Sequence, residues 1–224
     1  MPQTVLLDLD GTLIDSADGI LGALREAFVE VGIPWPENGL DRTILGPPLH
    51  VTLPRIVGQH APAVLAAYRR IYVERGLIVS PPFDGVPELL RSLADAGVRL
   101  AVATSKAEPH AQRIVAEHGW SDLFETVCGD TFDAARPTKA AVVAEALRRV
   151  DQPADAVMVG DRSHDVVGAR VNGLACLGAG WGYGGPGELE EAGAVAVFQD
   201  PADLAAALRT TITSGSDGSS SVVS

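Results

Sequence analysis

The chain has 224 residues, 46% of them hydrophobic, enough for one large domain or one domain with a small insertion and a substantial core. Asp and Glu number 29 against 17 Lys and Arg, a formal charge of −12, so the basic footprint of a nucleic-acid binder is missing and no nucleic-acid partner is expected. No apolar run approaches the roughly 18 residues of a membrane helix, and Cys128 and Cys176 lack Cys-x-x-Cys spacing, so a membrane span, a disulfide framework and a thiolate zinc site are unexpected.

In chain order, the first element is the apolar run Val5-Leu6-Leu7, which ends in Asp8-Leu9-Asp10-Gly11-Thr12-Leu13. Strand-like sequence thus begins almost at once, without a basic leader, and the expected compartment is the reduced cytoplasm. In an extended chain side chains alternate, so Asp8 and Asp10 share a side, and Gly11 lets the backbone turn without a Cβ clash. Two carboxylates so close need a counter-ion. Mg2+ is a natural one, because it takes carboxylate and carbonyl oxygens while leaving room for a substrate phosphate. The plainer reading of Asp10-Gly11 is a surface turn.

From about residue 16 to residue 82 no strand pattern is present, and Ile20, Leu24, Phe28 and Val31 recur at helical spacing. A second helix is expected over Ala61 to Gly76, with Val64, Leu65, Tyr68, Ile71 and Tyr72 on one side, and Gly46-Pro47-Pro48 breaks the segment before it. This segment is expected to be an inserted helical cap, hinged near Ala17 and near Pro81-Pro82. Tyr68 and Tyr72, four residues apart, are expected to face a core.

Beyond the cap, β-branched runs at 98–103, 126–128, 156–159 and 194–198 alternate with helical stretches. That alternation predicts an α/β fold around a mostly parallel, doubly wound sheet, whose strands are covered on both faces. Ligands of such sheets sit outside the carboxyl ends of the strands, where Asp8, Thr104 and Asp161 all fall. Thr104-Ser105-Lys106 follows the run ending at Ala103 and is read as the start of a helix, where anions are favoured, although a simple N-cap has the same composition. Lys106 and Lys139 are the two lysines of the chain. Arg136-Pro137-Thr138-Lys139 precedes an amphipathic helix and brings a cation that can reach a phosphoryl group. Gly160-Asp161 ends a strand with Asp165 four residues on, so two more carboxylates can face one point; capping and a solvated first turn explain them equally well. The loop Trp181-Gly182-Tyr183-Gly184-Gly185 follows another strand and is read as a connection on the rim of the crevice.

Taken together, these residues resemble the haloacid dehalogenase-like (HAD) superfamily of phosphohydrolases, through Asp8-Leu9-Asp10-Gly11-Thr12, Thr104-Ser105, Lys139 and Gly160-Asp161-Arg162-Ser163-His164-Asp165. Gly46-Pro47-Pro48-Leu49, Tyr68-Arg69 and Phe83-Asp84-Gly85-Val86 extend the likeness to the cap of the phosphoglycolate phosphatase-like branch. The resemblance implies a Rossmann-like core over 1–16 and 83–212 and a cap over 17–82, with the Ser/Gly-rich tail 213–224 expected to be disordered. It implies catalytic roles for Asp8, Asp10, Thr104 and Lys139, substrate contacts from Gly11, Thr12, Ser105, Lys106 and Arg136, and Mg2+ held by Asp8, Asp10, Asp161 and Asp165. The usual Lys-Pro of the third motif reads Arg136-Pro137 here, so the cation role is assigned to Lys139, whose compact ammonium suits one oxygen better than a planar guanidinium does. The expected activity is Mg2+-dependent hydrolysis of a small phosphorylated metabolite, phosphoglycolate-like, through an aspartyl phosphate, by a monomer or homodimer. A phosphotransferase (a sugar-phosphate mutase or a protein-tyrosine kinase-like enzyme) and a 5'-nucleotidase are the alternatives.

Overall fold

Val5, Leu6 and Leu7 have no exposed surface, as a strand requires when both faces of its sheet are covered. In the computed structural model, which describes residues 4–75, 80–133 and 135–213, they lie in β1 (Thr4–Leu7) at the middle of a six-stranded sheet. The other strands are β2 (Arg99–Ala107), β3 (Phe124–Asp130), β4 (Ala156–Gly160), β5 (Ala175–Ala179) and β6 (Ala196–Phe198). Every pairing is parallel, in the order β3-β2-β1-β4-β5-β6. Val5 and Leu7 join one core, closed by α4 (Val86–Asp95), α5 (Glu108–Glu117) and α9 (Pro201–Thr213). Leu6 points the other way, into a second core with α6 (Lys139–Arg149), α7 (Ser163–Val171) and α8 (Glu188–Ala192). Helices on both faces of a parallel sheet make this the expected doubly wound, Rossmann-like α/β fold.

Among the described residues, three α-helices, α1 (Ala17–Val31), α2 (Leu49–Val57) and α3 (Ala61–Glu74), stand between β1 and α4, with α1 and α2 packed on α3. The outgoing and returning chains run side by side, Asp15 N–H donating to Pro81 O at 2.8 Å and Phe83 N–H to Leu13 O at 3.1 Å. Tyr68 and Tyr72 are buried and stacked, 5.3 Å between ring centroids.

Four local expectations change. β2 continues through Thr104, Ser105 and Lys106, pairing Ala107 with Asp130 after a register shift, so these residues end a strand instead of starting a helix. The helix begins at Glu108 because Pro109 sits in its first turn, where a missing N–H costs nothing. β6 starts only at Ala196, since Ala194 N–H caps α8 through Leu189 O and Val195 is 69% exposed. α3 ends at Glu74, and Gly76 lies outside the described residues. Thr213, assigned above to the tail, ends α9, and residues 214–224 also lie outside the described residues. Among those described, no helix is long and apolar enough to cross a membrane.

Candidate active site

Strand polarity decides where the polar residues gather. Asp8 directly follows β1, its N–H still donating to Val159 O of β4 at 2.9 Å, and Asp161 directly follows β4. Both emerge at the carboxyl edge, between the neighbouring strands β1 and β4. Asp165 comes from the first turn of α7, its Oδ2 accepting from Arg162 N–H at 3.0 Å. Carboxylate oxygens of Asp8, Asp161 and Asp165 lie within 4.8 Å of one another, and all three residues are buried. Lys139 opens α6 behind an N-cap in which Thr138 Oγ1 accepts from Ala141 N–H at 3.2 Å. Its Nζ stands 2.7 Å from Asp8 Oδ1 and 2.7 Å from Asp165 Oδ1. Gly168 of α7 makes that approach possible, since a Cβ there would lie 2.8 Å from Lys139 Cγ.

The electrostatics follow from burial. Burial, with Asp165 and Asp10 nearby, pushes the Asp8 carboxyl up to about 6 against the pull of Lys139. Burial, Asp165 and Asp8 hold Asp161 well above the usual carboxylate range. For Asp165 burial acts upward too, but Lys139 and His164 outweigh it and keep the group below its ordinary value. Burial also opposes the charge on Lys139, and Asp165 and Asp8 overcome it, raising the ammonium above the usual lysine range. Three buried carboxylates against one ammonium leave two negative charges uncompensated when all are ionised. A divalent cation that prefers oxygen donors fits this cluster, and Mg2+ is such a cation.

Asp10 takes a different path. Its Oδ1 and Oδ2 accept from Lys106 Nζ at 2.8 and 2.7 Å, and Ser16 Oγ also donates to Oδ1. The Lys106 ammonium in turn lies 4.8 Å from the centroid of the Tyr72 ring. Asp8, Asp10, Thr104, Ser105 and Lys106 line a cavity whose far side comes from Gly46 to His50 and from Tyr68, Arg69 and Tyr72. Thr104 Oγ1 accepts from Lys106 N–H at 3.3 Å, which leaves its own proton available to a ligand.

Three residues expected to touch substrate lie elsewhere. Thr12 Oγ1 donates to Asp161 Oδ1 at 3.0 Å, and Gly11, at φ +85°, leaves no room for a Cβ, which would fall 2.2 Å from Asp161 Oδ2. Both therefore support Asp161 instead of lining the cavity. Arg136 reaches Glu108 Oε2 at 2.8 Å and Gly129 O at 2.7 Å, so the cation at Asp8 is Lys139.

The loop after β5, read above as a rim connection, is part of the site. Tyr183 N–H donates to Asp161 Oδ2 at 2.8 Å, and Trp181 Nε1–H to Thr12 O at 3.0 Å. Tyr183 Oη accepts from Ser16 N–H at 2.8 Å and donates to Asp15 Oδ1 at 3.0 Å. Glu188 accepts from Ser163 N–H at 2.8 Å and from Arg162 Nε–H at 2.9 Å, fixing the entry to α7. The glycine density of 180–187 was the one signal in the sequence. A backbone donor carries no signature of its own.

A family model described as haloacid dehalogenase-like hydrolase matches residues 5–179. The chain belongs to this family. The HAD-like hydrolase is 48% identical over 185 residues to the tyrosine-protein kinase PtkA of Mycobacterium tuberculosis, which covers 82% of this chain and 64% of that protein. The chain thus spans less than two thirds of that relative's length. It is 35% identical over 189 residues to a 5'-nucleotidase of Pseudomonas aeruginosa, covering 83% of this chain and 86% of the relative. Among solved structures, a predicted phosphatase from Clostridium acetobutylicum superposes with a TM-score of 0.86 at 30% identity, covering 94% of the HAD-like hydrolase and 99% of that chain.

Proposed function

We propose that this HAD-like hydrolase is a phosphatase of small phosphate monoesters, with phosphoglycolate, suggested by the branch resemblance, the first ester to try. The observation that carries the reading is Lys139, wedged between Asp8 and Asp165 beside Asp161, at the edge of a cavity that also presents Asp10 and Thr104. Asp8 is the nucleophile: a carboxylate oxygen attacks phosphorus in line, the bond to the ester oxygen breaks, and Asp10, entering this step as the carboxylic acid, gives the departing alkoxide its proton and becomes the carboxylate. Asp10 then takes a proton from water as that water attacks the aspartyl phosphate, releasing inorganic phosphate and restoring Asp8. The Thr104 hydroxyl and the Lys139 ammonium hold phosphoryl oxygens, since phosphoryl transfer depends mainly on positioning and charge stabilisation. Mg2+ held by Asp8, Asp161, Asp165 and the Asp10 carbonyl would supply neutralising charge to the transferring group.

Residues 17–82 act as the cap in this reading, and 1–16 with 83–212 as the core, the two crossings at Leu13–Asp15 and Pro81–Phe83 serving as the hinge. The cap then closes over the ester and excludes bulk water. Cys128 and Cys176 are buried free thiols, in keeping with a reducing cytoplasm. The test is phosphate release from phosphoglycolate and other monoesters with Mg2+, with EDTA controls and with Asp8→Asn. Activity of Asp8→Asn at the wild-type rate would remove the nucleophile.

The similarity to PtkA favours a second reading, in which the phosphoryl group passes from Asp8 to a hydroxyl acceptor instead of water. Labelled ATP separates the two: label in inorganic phosphate supports hydrolysis, and label on protein tyrosine supports transfer.

A further inference from the structure

The cavity beside Asp8 has one wall that phosphoryl chemistry does not require. Tyr68 and Tyr72 are stacked, His110 lies 6.1 Å from Tyr72, and Phe132 meets His110 edge to face at 5.3 Å. All four line the cavity, so the rings form a continuous surface from its interior to its mouth. The tyrosines are buried and serve the core. Phe132 does not: it is 53% exposed, in the connection between β3 and α6, where water contact of so much apolar ring brings no stability. His110 is kept neutral, its imidazole pushed down to about 4 by burial and by Lys106, Arg69 and Arg113. It therefore presents a π face instead of a further cation. Leu45, Leu49 and Leu65 line the same cavity and add apolar surface beside the rings. A two-carbon acid such as the leaving group of phosphoglycolate would leave this wall wet.

We propose that the leaving alcohol of the substrate carries a planar aromatic ring that seats against His110 and Phe132. This rests on the phosphatase reading and names the class of ester within it. A nucleobase and an aryl group supply the same flat π surface, so matched pairs of esters distinguish the sources. AMP and ribose 5-phosphate share their leaving oxygen and differ by the base; O-phosphotyrosine and O-phosphoserine differ by the aryl ring, and because phenoxide is also the better leaving group, only the part of their ratio that Phe132→Ala removes counts as ring seating. The expected result is a kcat/KM ratio of roughly tenfold or more in favour of the ring-bearing ester in at least one pair, as base or ring stacking on an aromatic side chain gives. That ratio collapses in Phe132→Ala and returns in Phe132→Trp. Equal kcat/KM within both pairs, or a ratio that Phe132→Ala leaves untouched, overturns the ring proposal, while phosphate release from all four esters still upholds the phosphatase. If nothing is hydrolysed, the phosphatase reading falls and calorimetry on Asp8→Asn decides the ring. Roughly tenfold tighter binding of AMP than of ribose 5-phosphate, or of O-phosphotyrosine than of O-phosphoserine, lost in Asp8→Asn/Phe132→Ala, supports it, and equal affinity in both pairs overturns it.

Discussion

Lys106 holds both carboxylate oxygens of Asp10, at 2.8 and 2.7 Å, from a strand position 96 residues away in sequence. The ion pair is nearly closed to solvent, with side-chain exposures of 6% and 15%. Asp10 is thereby aimed before substrate arrives. Lys106→Met is expected to lower kcat by about tenfold or more, and Asp10→Asn by the roughly 100- to 10,000-fold typical of a lost general acid–base group. Steady-state phosphate release measures both. A Lys106→Met enzyme altered only in KM would make Lys106 a substrate contact, not a positioning residue for Asp10.

Removing Lys139 strands Asp8 and Asp165 in the interior. Breaking a buried pair from one side costs about 3–5 kcal/mol, so Lys139→Met should show a much lower urea midpoint with an unchanged m-value. A loss below about 1 kcal/mol would mean that the carboxylates escape their burial by protonation or by water entry.

The uncompensated charge of the Asp8, Asp161 and Asp165 cluster predicts linkage to divalent cations. Mg2+ at a hundred times its Kd should stabilise the fold by about 2.7 kcal/mol, seen as a raised Tm that EDTA reverses. Asp161→Asn should remove most of the shift. An identical Mg2+ response in wild type and Asp161→Asn would place the ion elsewhere.

Gly182 has no space for a side chain. A Cβ there would lie 2.3 Å from both Asp161 Cβ and Gly11 O, and neither can swing aside as a flexible side-chain tip can. Gly182→Ala should therefore displace Asp161 and cut kcat/KM by about 100-fold while circular dichroism stays native, since misplacement of about 1 Å is enough for such a loss. A fully active Gly182→Ala enzyme would show that the loop after β5 does not set Asp161.

Glu188 and His110 both contribute to acid stability. Burial opposes the charge on Glu188, but Ser163 N–H, Gly185 N–H and Arg162 outweigh it and bring the carboxyl down to about 2. Its folded value is depressed, so the stabilisation is complete above the unfolded value near 4.5 and disappears as the pH falls towards 2. His110 is also depressed, to about 4 from 6.5, so the unfolded state gains a proton first and stability declines between those values. Unfolding free energies of wild type and Glu188→Gln from urea titration should differ by a constant amount, about 1 kcal/mol for this partly exposed carboxylate, from pH 5 to 8 and converge below pH 4.5. A gap that persists at pH 3 would remove Glu188 from the acid transition.

Local spacing was sufficient for much of this molecule. Alternating strand and helix periods announce the doubly wound sheet, and the buried run Val5-Leu6-Leu7 ahead of Asp8 marks the central strand, because burial on two faces demands an uninterrupted apolar stretch. The order of Asp8, Thr104, Lys139 and Asp161, each near the carboxyl end of a strand or the start of the next helix, follows from the same pattern. The choice of Lys139 over Arg136 was legible in the compactness of its ammonium, and the fold supplies the reason it holds: Thr138 sets the start of α6, Gly168 clears the path to Asp8, and Glu108 draws Arg136 away. Only the folded chain decides the rest. Tyr183 supplies a main-chain N–H, identical in every residue but proline, and its importance comes solely from the 2.8 Å that separate it from Asp161. Periodicity records which face of an element is buried. It does not record which distant backbone or side chain will be found there.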